Sequence, residues 1–171
     1  QELNDYILYQ VDFAAGNIMA GDYYFKLHNY AKAEEFYLRG LKKDSIMNYA
    51  RLNLSTLYNI IGRNTDALHV LQQAVKTDPK NDRIYFNLAL LYNEMNDQNN
   101  VELNLKKAIE LKSTNPRVYY NYGVLLQQKN LPKEAEKQYQ KALSLAQNDL
   151  DINYAICTLY LQQNLLEKAI P

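Results

Sequence analysis

The sequence contains one helical pattern three times, at a fixed spacing. It reads ARLNLSTLY at residues 50–58, RIYFNLALLY at 83–92 and RVYYNYGVLL at 117–126. An asparagine occupies the same place in each stretch, at Asn53, Asn87 and Asn121, every 34 residues. The surrounding apolar residues follow the three-and-four spacing of one face of an α-helix. The sequence therefore predicts an amphipathic helix that recurs along the chain.

The 34-residue spacing continues through nearly the whole chain. It divides the sequence into units 14–47, 48–81, 82–115, 116–149 and an incomplete unit 150–171. Small residues recur at one place in each unit, namely Gly21, Ser55, Ala89, Gly123 and Cys157. Bulky residues recur at another, namely Tyr37, Leu71, Leu105 and Tyr139. A fixed period of this length is the signature of a solenoid of stacked repeats.

Each unit is predicted to hold two helices joined by a tight turn. Glycine and asparagine predominate after the first helix because both tolerate a left-handed backbone, and the residues are His28, Gly62, Asn96, Asn130 and Asn164. Pro132 suits the first turn of a second helix, whereas Pro79 and Pro116 mark boundaries between units. No segment indicates a strand, so the predicted fold is all-α. Residues 1–13 would extend the first helix or end a preceding unit.

This pattern resembles the tetratricopeptide repeat (TPR). In unit two the residues that match the family motif are Leu54, Ser55, Tyr58, Ala67, Leu71, Ala74 and Pro79. The resemblance covers residues 14–171. It implies a right-handed α-solenoid of stacked antiparallel helix pairs, with the first helix of each pair on the concave side. It also implies a scaffold that binds a peptide segment of a partner protein in that groove.

The resemblance places the repeated asparagines in the groove. An asparagine amide carries a donor and an acceptor, as a peptide backbone does, so a row of them could hold an extended chain. An apolar series, Ile18, Leu52, Phe86, Tyr120 and Tyr154, is expected to run beside them. The predicted peptide-binding residues are Tyr49, Leu52, Asn53, Thr56, Arg83, Phe86, Asn87, Leu90, Arg117, Tyr120, Asn121, Val124 and Tyr154. A second interpretation stays open, in which the asparagines bond within or between helices and support stacking.

One well-defined activity of the family does not match this sequence. Capture of a C-terminal carboxylate by the family's chaperone clamp requires a lysine and an asparagine on the first of three units. Unit one has Ile18 and Asp22 at those places, and unit two has Leu52 and Thr56. We therefore do not expect this clamp.

The remaining features favour binding over chemistry. The formal net charge is zero, which argues against nucleic acid and anionic membranes as partners. No apolar run approaches the roughly 20 residues that span a bilayer. Cys157 fits a packing position, and His28 and His69 are too isolated for a metal site. We predict a non-enzymatic chain without cofactor or metal, located in the cytoplasm or periplasm, whose ligand is a protein or peptide.

Two other functions remain open. The chain could be an accessory module of a larger enzyme, with its groove filled by another part of the same protein. Its tyrosine- and asparagine-rich sequence resembles repeats attached to some bacterial multihaem cytochromes, although it contains no haem-attachment CxxCH motif. Nucleic-acid binding through Arg83, Arg117 and the aromatic residues is disfavoured by the neutral charge. We also expect the chain to be a fragment of a longer TPR protein. Its apolar C-terminal end would then be uncapped and could support self-association.

Overall fold

The computed structural model describes residues 13–169, which form ten α-helices and contain no strand. The prediction of an all-α fold is confirmed. Segments 1–12 and 170–171, including most of the predicted N-terminal extension, lie outside the described residues. The helices are α1 (Ala14–Lys26), α2 (Tyr30–Lys43), α3 (Asn48–Ile60), α4 (Asn64–Thr77), α5 (Asp82–Glu94), α6 (Gln98–Glu110), α7 (Pro116–Gln128), α8 (Pro132–Leu145), α9 (Leu150–Gln162) and α10 (Leu166–Ala169).

The helices stack as a solenoid of helix pairs. Every helix packs against the next one in the chain. First helices of adjacent units also pack against each other, α1 on α3, α3 on α5 and α7 on α9, whereas second helices of adjacent units do not pack to this extent. The stack is therefore tighter on the side of the first helices, which form its inner face. At the junction of α5 and α7 the first helices pack against each other less extensively.

The turns inside the units share one backbone conformation. The predicted turn residues, His28, Gly62, Asn96, Asn130 and Asn164, all have a positive φ, between 56° and 77°. The next backbone N–H donates to a carbonyl of the last helical turn, as from Arg63 to Tyr58 at 2.8 Å. This is the Schellman arrangement, which satisfies carbonyls at a helix end. The prediction of the turn residues is confirmed.

One left-handed residue was not predicted. Lys112 has a φ of 59° and follows the end of α6 at Glu110. The matching residues Asp44 and Asp78 are not left-handed, with φ of −139° and −146°. Because lysine has no preference for the left-handed region, its type gave no signal.

Residue size is matched between the two helices of a unit. A Cβ added to Gly21 would lie 2.5 Å from Cδ1 of Tyr37, and one added to Gly123 would lie 2.6 Å from Cδ1 of Tyr139. Both distances are too short for real side chains. Units two and three instead combine a serine or alanine on the first helix with a leucine on the second, in the pairs Ser55 with Leu71 and Ala89 with Leu105. A tyrosine therefore requires a glycine opposite it.

This size matching predicts a coupled pair of substitutions. Gly123→Ala should lower the free energy of unfolding by about 1–3 kcal/mol because the methyl group collides with Tyr139. Tyr139→Leu should also destabilise, because it leaves a cavity. The loss of unfolding free energy in the double variant should be smaller than the sum of the two single losses by at least about 1 kcal/mol. The reason is that unit three already packs Ala89 against a leucine. Urea unfolding of the four proteins measures this coupling, and strictly additive losses would contradict the matching.

Hydrogen bonds from tyrosine to glutamate join successive units. The Tyr58 hydroxyl donates to Glu34 at 2.8 Å, and Arg63 contacts the same carboxylate at 2.9 Å. The Tyr160 hydroxyl donates to Glu136 at 2.7 Å in the same register. Where the tyrosine is replaced by a leucine, between units three and four, Lys129 pairs with Glu102 instead. Between units two and three the tyrosine is kept as Tyr92 but Leu68 replaces the glutamate, and both side chains pack against one apolar cluster.

The Tyr58 contact predicts a specific sensitivity to alkali. Burial, followed by the hydrogen bond to Glu34, raises the pKa of Tyr58 to about 12, against about 10 in the unfolded chain. Because the folded state holds the proton more tightly, this stabilisation is complete below pH 10 and is lost as the pH rises towards 12. Tyr58→Phe should be less stable than the wild type by about 1 kcal/mol at pH 8.

The difference between these two proteins should then shrink between pH 10 and 12, because only the wild type has a phenol to ionise at this position. Urea unfolding at pH 8 and at pH 11.5 provides the measurement. A stability difference that is the same at both values would show that the Tyr58 proton is not held by the fold.

Candidate functional site

A cleft opens on the inner face between α5 and α7. Its volume is about 380 Å³. The residues that line it come from α5, α6 and α7 and are Ala89, Leu90, Asn93, Gln98, Val101, Leu105, Tyr120, Asn121, Val124, Leu125 and Gln128. Four of them, Ala89, Val101, Leu105 and Leu125, are buried and form an apolar floor. Val101 occupies the place that alanine holds in the other units, at Ala33, Ala67 and Ala135.

Apart from Tyr120, the polar residues of the cleft are carboxamides. They are Asn93, Gln98, Asn121 and Gln128, and none of these side chains forms a hydrogen bond with another described residue. No charged residue lines the cleft. Each carboxamide offers a donor and an acceptor that is free to bind a ligand. The cleft can therefore pair with a neutral ligand that carries N–H and C=O groups while it buries apolar surface.

Four predicted groove residues, Leu90, Tyr120, Asn121 and Val124, meet in this cleft. Asn87 lies nearby, in a smaller cavity of about 70 Å³ between units two and three that Leu90 also lines. The side chain of Asn87 forms no hydrogen bond within the described residues. Asn87 and Asn121 thus remain available for a ligand.

Asn53 has a different environment. Its Nδ2 donates to Oδ1 of Asp22 at 2.7 Å, which joins α3 to α1. Tyr49, also predicted to bind the peptide, donates its hydroxyl to Oδ2 of Asp22 at 3.0 Å. In units two to four the position of Asp22 is occupied by Thr56, Leu90 and Val124, so these units have no carboxylate there. These contacts of Asn53 support the second interpretation, in which the side-chain amide forms a hydrogen bond between neighbouring helices. The three asparagines are therefore not equivalent.

The apolar series predicted beside the asparagines belongs mainly to the junctions between units. Ile18 is 4% exposed and Leu52 is 6% exposed, and both lie in the core. Phe86 and Tyr120 are partly buried against clusters that include the next unit. Only Tyr154 is largely exposed, at 73%, because no further described unit covers it. Leu52 therefore offers little surface to a ligand, and its contact with a peptide stays a prediction.

The other predicted residues vary in their availability. Arg117 contacts Asp151 at 2.9 Å and Asp149 at 3.3 Å, and its guanidinium lies 5.3 Å from the centre of the Tyr120 ring. The hydrogen bond to Asp151 raises the pKa of Arg117. The hydroxyl of Thr56 donates to the Leu52 carbonyl at 3.0 Å. Arg83 is exposed.

Residues 13–169 contain neither a grouping of side chains suited to a metal ion nor a helix suited to crossing a bilayer. Within this range, no cluster of three or more histidine, cysteine, aspartate or glutamate side chains could hold a metal ion. None of the helices in the described part of the chain has the length and apolar character needed to cross a bilayer.

Comparison with known proteins identifies the family. A model described as TPR repeat matches residues 57–96, and one described as tetratricopeptide repeat matches residues 82–115 and 116–149. The latter two ranges are the same as two of the units derived from the sequence. The chain belongs to the tetratricopeptide repeat family, whose fold is that of a protein–protein interaction scaffold. No curated protein matches the sequence.

Several solved structures share the fold. The PilF protein of Pseudomonas aeruginosa has a TM-score of 0.83 at 20% identity, covering 91% of this chain and 71% of its own. A MamA structure has a TM-score of 0.74 at 21% identity, covering 94% of this chain and 87% of its own. YrrB has a TM-score of 0.69 at 18% identity, covering 99% of this chain and 88% of its own. At these identities the similarity establishes the fold alone.

The different environments of the asparagines predict different costs of substitution. Asn53→Ala should lower the free energy of unfolding by about 1–2 kcal/mol because Asp22 loses a donor. Asn121→Ala should change it by less than about 0.5 kcal/mol because no hydrogen bond is lost. Urea unfolding of the two variants beside the wild type tests this, and equal losses would mean that the side chains have equivalent roles.

Proposed function

We propose that this chain is a protein-interaction scaffold that binds an extended, uncharged peptide segment of a partner in the cleft between units three and four. The observation that carries this proposal is the set of four carboxamides, free of internal hydrogen bonds, around an apolar floor. An extended peptide offers a matching row of N–H and C=O groups. Its side chains alternate in direction, so every second one can enter the apolar part of the cleft.

The expected affinity is modest. Each hydrogen bond to a side-chain amide contributes about 1 kcal/mol net. Apolar contact with the floor adds about 25 cal/mol for each Å² that is removed from water. Together these contributions, less the cost of ordering the peptide, correspond to a dissociation constant of roughly micromolar order.

The charges near the cleft favour a peptide over a nucleic acid. Phosphate recognition would require free cations, but Arg117 is already held by Asp149 and Asp151. Arg83 remains exposed, although it does not line the cleft. One similar structure, YrrB, is described as having an unusual peptide-binding site, which adds support by analogy of fold.

Selection of peptides on the immobilised chain tests the proposal. A phage library of random twelve-residue peptides should yield ligands rich in small and aliphatic residues. Binding of the selected synthetic peptides, measured by calorimetry, should weaken at least tenfold in the double variant Asn93→Ala, Asn121→Ala. That loss corresponds to about 1.4 kcal/mol, close to what two hydrogen bonds contribute.

A matched variant separates the cleft from the rest of the surface. Asn99 and Asn148 are exposed asparagines outside the cleft, so Asn99→Ala, Asn148→Ala should bind the same peptides as the wild type does. Equal binding by the cleft variant, at unchanged melting temperature, would overturn the proposal. Failure to enrich any peptide would also contradict it and would favour an accessory module whose groove is filled by its own parent chain.

A further inference from the structure

A second cavity lies two units away from the cleft and has a different chemistry. It lies between α1, α2 and α3 and has a volume of about 240 Å³. Its lining contains one carboxylate and three aromatic rings, and the residues are Asp22, Phe25, Lys26, Tyr37, Tyr49, Asn53 and Thr56. The cleft between units three and four has no carboxylate.

The carboxylate of Asp22 is oriented by neutral donors alone. Its Oδ1 accepts from the Tyr37 hydroxyl and from Nδ2 of Asn53, both at 2.7 Å. Its Oδ2 accepts from the Tyr49 hydroxyl at 3.0 Å and keeps further acceptor capacity. Neutral donors fix the position of a carboxylate but leave its negative charge in place.

No described residue forms an ion pair with Asp22. Within residues 13–169, no lysine, arginine or histidine nitrogen lies within the 4.0 Å of an ion pair with Asp22. Lys26 follows one turn later on α1 and lines the cavity, but it does not reach this distance. The cavity therefore presents a fixed carboxylate, without an ion-pair partner, beside aromatic rings.

We propose that this cavity binds one lysine or arginine side chain of a partner protein. A cation there would complete an ion pair with Oδ2 of Asp22 and contact the faces of aromatic rings, which attract positive charge. The aliphatic stem of the side chain would lie against Phe25 and Tyr49. This inference rests on the proposed function in one respect, that the ligand is a protein segment.

A purely structural role explains less of the arrangement. The same place in later units is filled by Thr56, Leu90 and Val124, so stacking of the repeats does not require a carboxylate. Partial burial of a charge without a counter-ion opposes folding, unless a ligand compensates it. The clustered donors also keep the carboxylate in one orientation before the ligand arrives, which reduces the cost of binding.

Two small probes that differ only in charge test the inference. The full 171-residue chain, labelled with ¹⁵N, is titrated with N-acetyl-lysine methylamide and separately with N-acetyl-norleucine methylamide. The lysine probe should give saturable shifts at the backbone amides of Asp22, Tyr49 and Asn53. The norleucine probe has a similar aliphatic chain without the ammonium group and should bind at least tenfold more weakly. Equal shifts with both probes, or no saturable shift with lysine, would overturn the inference.

Variants locate the charge. Asp22→Asn keeps an oxygen that can accept from Tyr37 and Asn53, and it should weaken binding of the lysine probe about tenfold or more. Lys26→Gln removes a positive charge from the cavity lining and should bind the lysine probe more tightly than the wild type does. Unchanged binding by Asp22→Asn would contradict the assignment, whereas the comparison of probes on the wild type stands even if this variant is unstable.

The outcomes separate this inference from the proposed function. Peptides that are selected on the cleft and carry no basic residue should bind the Asp22→Asn variant with the same affinity as the wild type. If the lysine probe binds but the cleft variant retains its peptides, only the proposed cleft function fails. If the probes do not differ while the cleft variant loses its peptides, only the cationic site fails.

Discussion

The close approach of the two helices in each unit is the constraint on which the rest of this structure depends. A helix pair can close only where a small residue on the first helix faces the bulky residue on the second, and Gly21 with Tyr37 is the tightest case. This packing orients both helices, and the left-handed residue between them then sets where the second helix starts. The same geometry recurs every 34 residues, so each unit presents its first helix to the inner face. All candidate binding residues inherit their positions from this arrangement.

The repeats share a backbone frame but not the chemistry of their junctions. At the first junction a carboxylate gathers three donors, whereas at the third an apolar cleft opens beneath four carboxamides. In-register replacements separate these outcomes. At the place of Asp22 the third junction has Leu90, and Val101 stands where alanine is usual. A repeat protein can thus carry two unlike sites on one scaffold, because contacts between neighbours decide the chemistry while contacts inside each unit maintain the fold.

The features that could be predicted from the sequence are those that depend on single residues or on residues close in the chain. The turns were predictable because a left-handed backbone restricts residue type at one place, as at Gly62 and Asn130. The burial of Leu52 was not predictable because helical periodicity gives the direction of a side chain but not whether neighbouring residues cover it. The partner of Asn53 lies 31 residues away, and the repeat pattern gave no sign that Asp22 would face it. The cleft depends on the distance between two helices, which no single position encodes.

The division of the apolar core sets how a disturbance would spread along the solenoid. The core divides within α5, where Leu88 belongs to one cluster and Ala89 to the next, and again within α7, between Leu125 and Leu126. The middle cluster extends beneath the cleft, from Ala89 on α5 to Val118 on α7. Each repeat of such an array interacts only with its neighbours. Loosening at either end of the described stack would therefore reach the cleft only through α5 or α7, so the two helices that border the cleft also shield it.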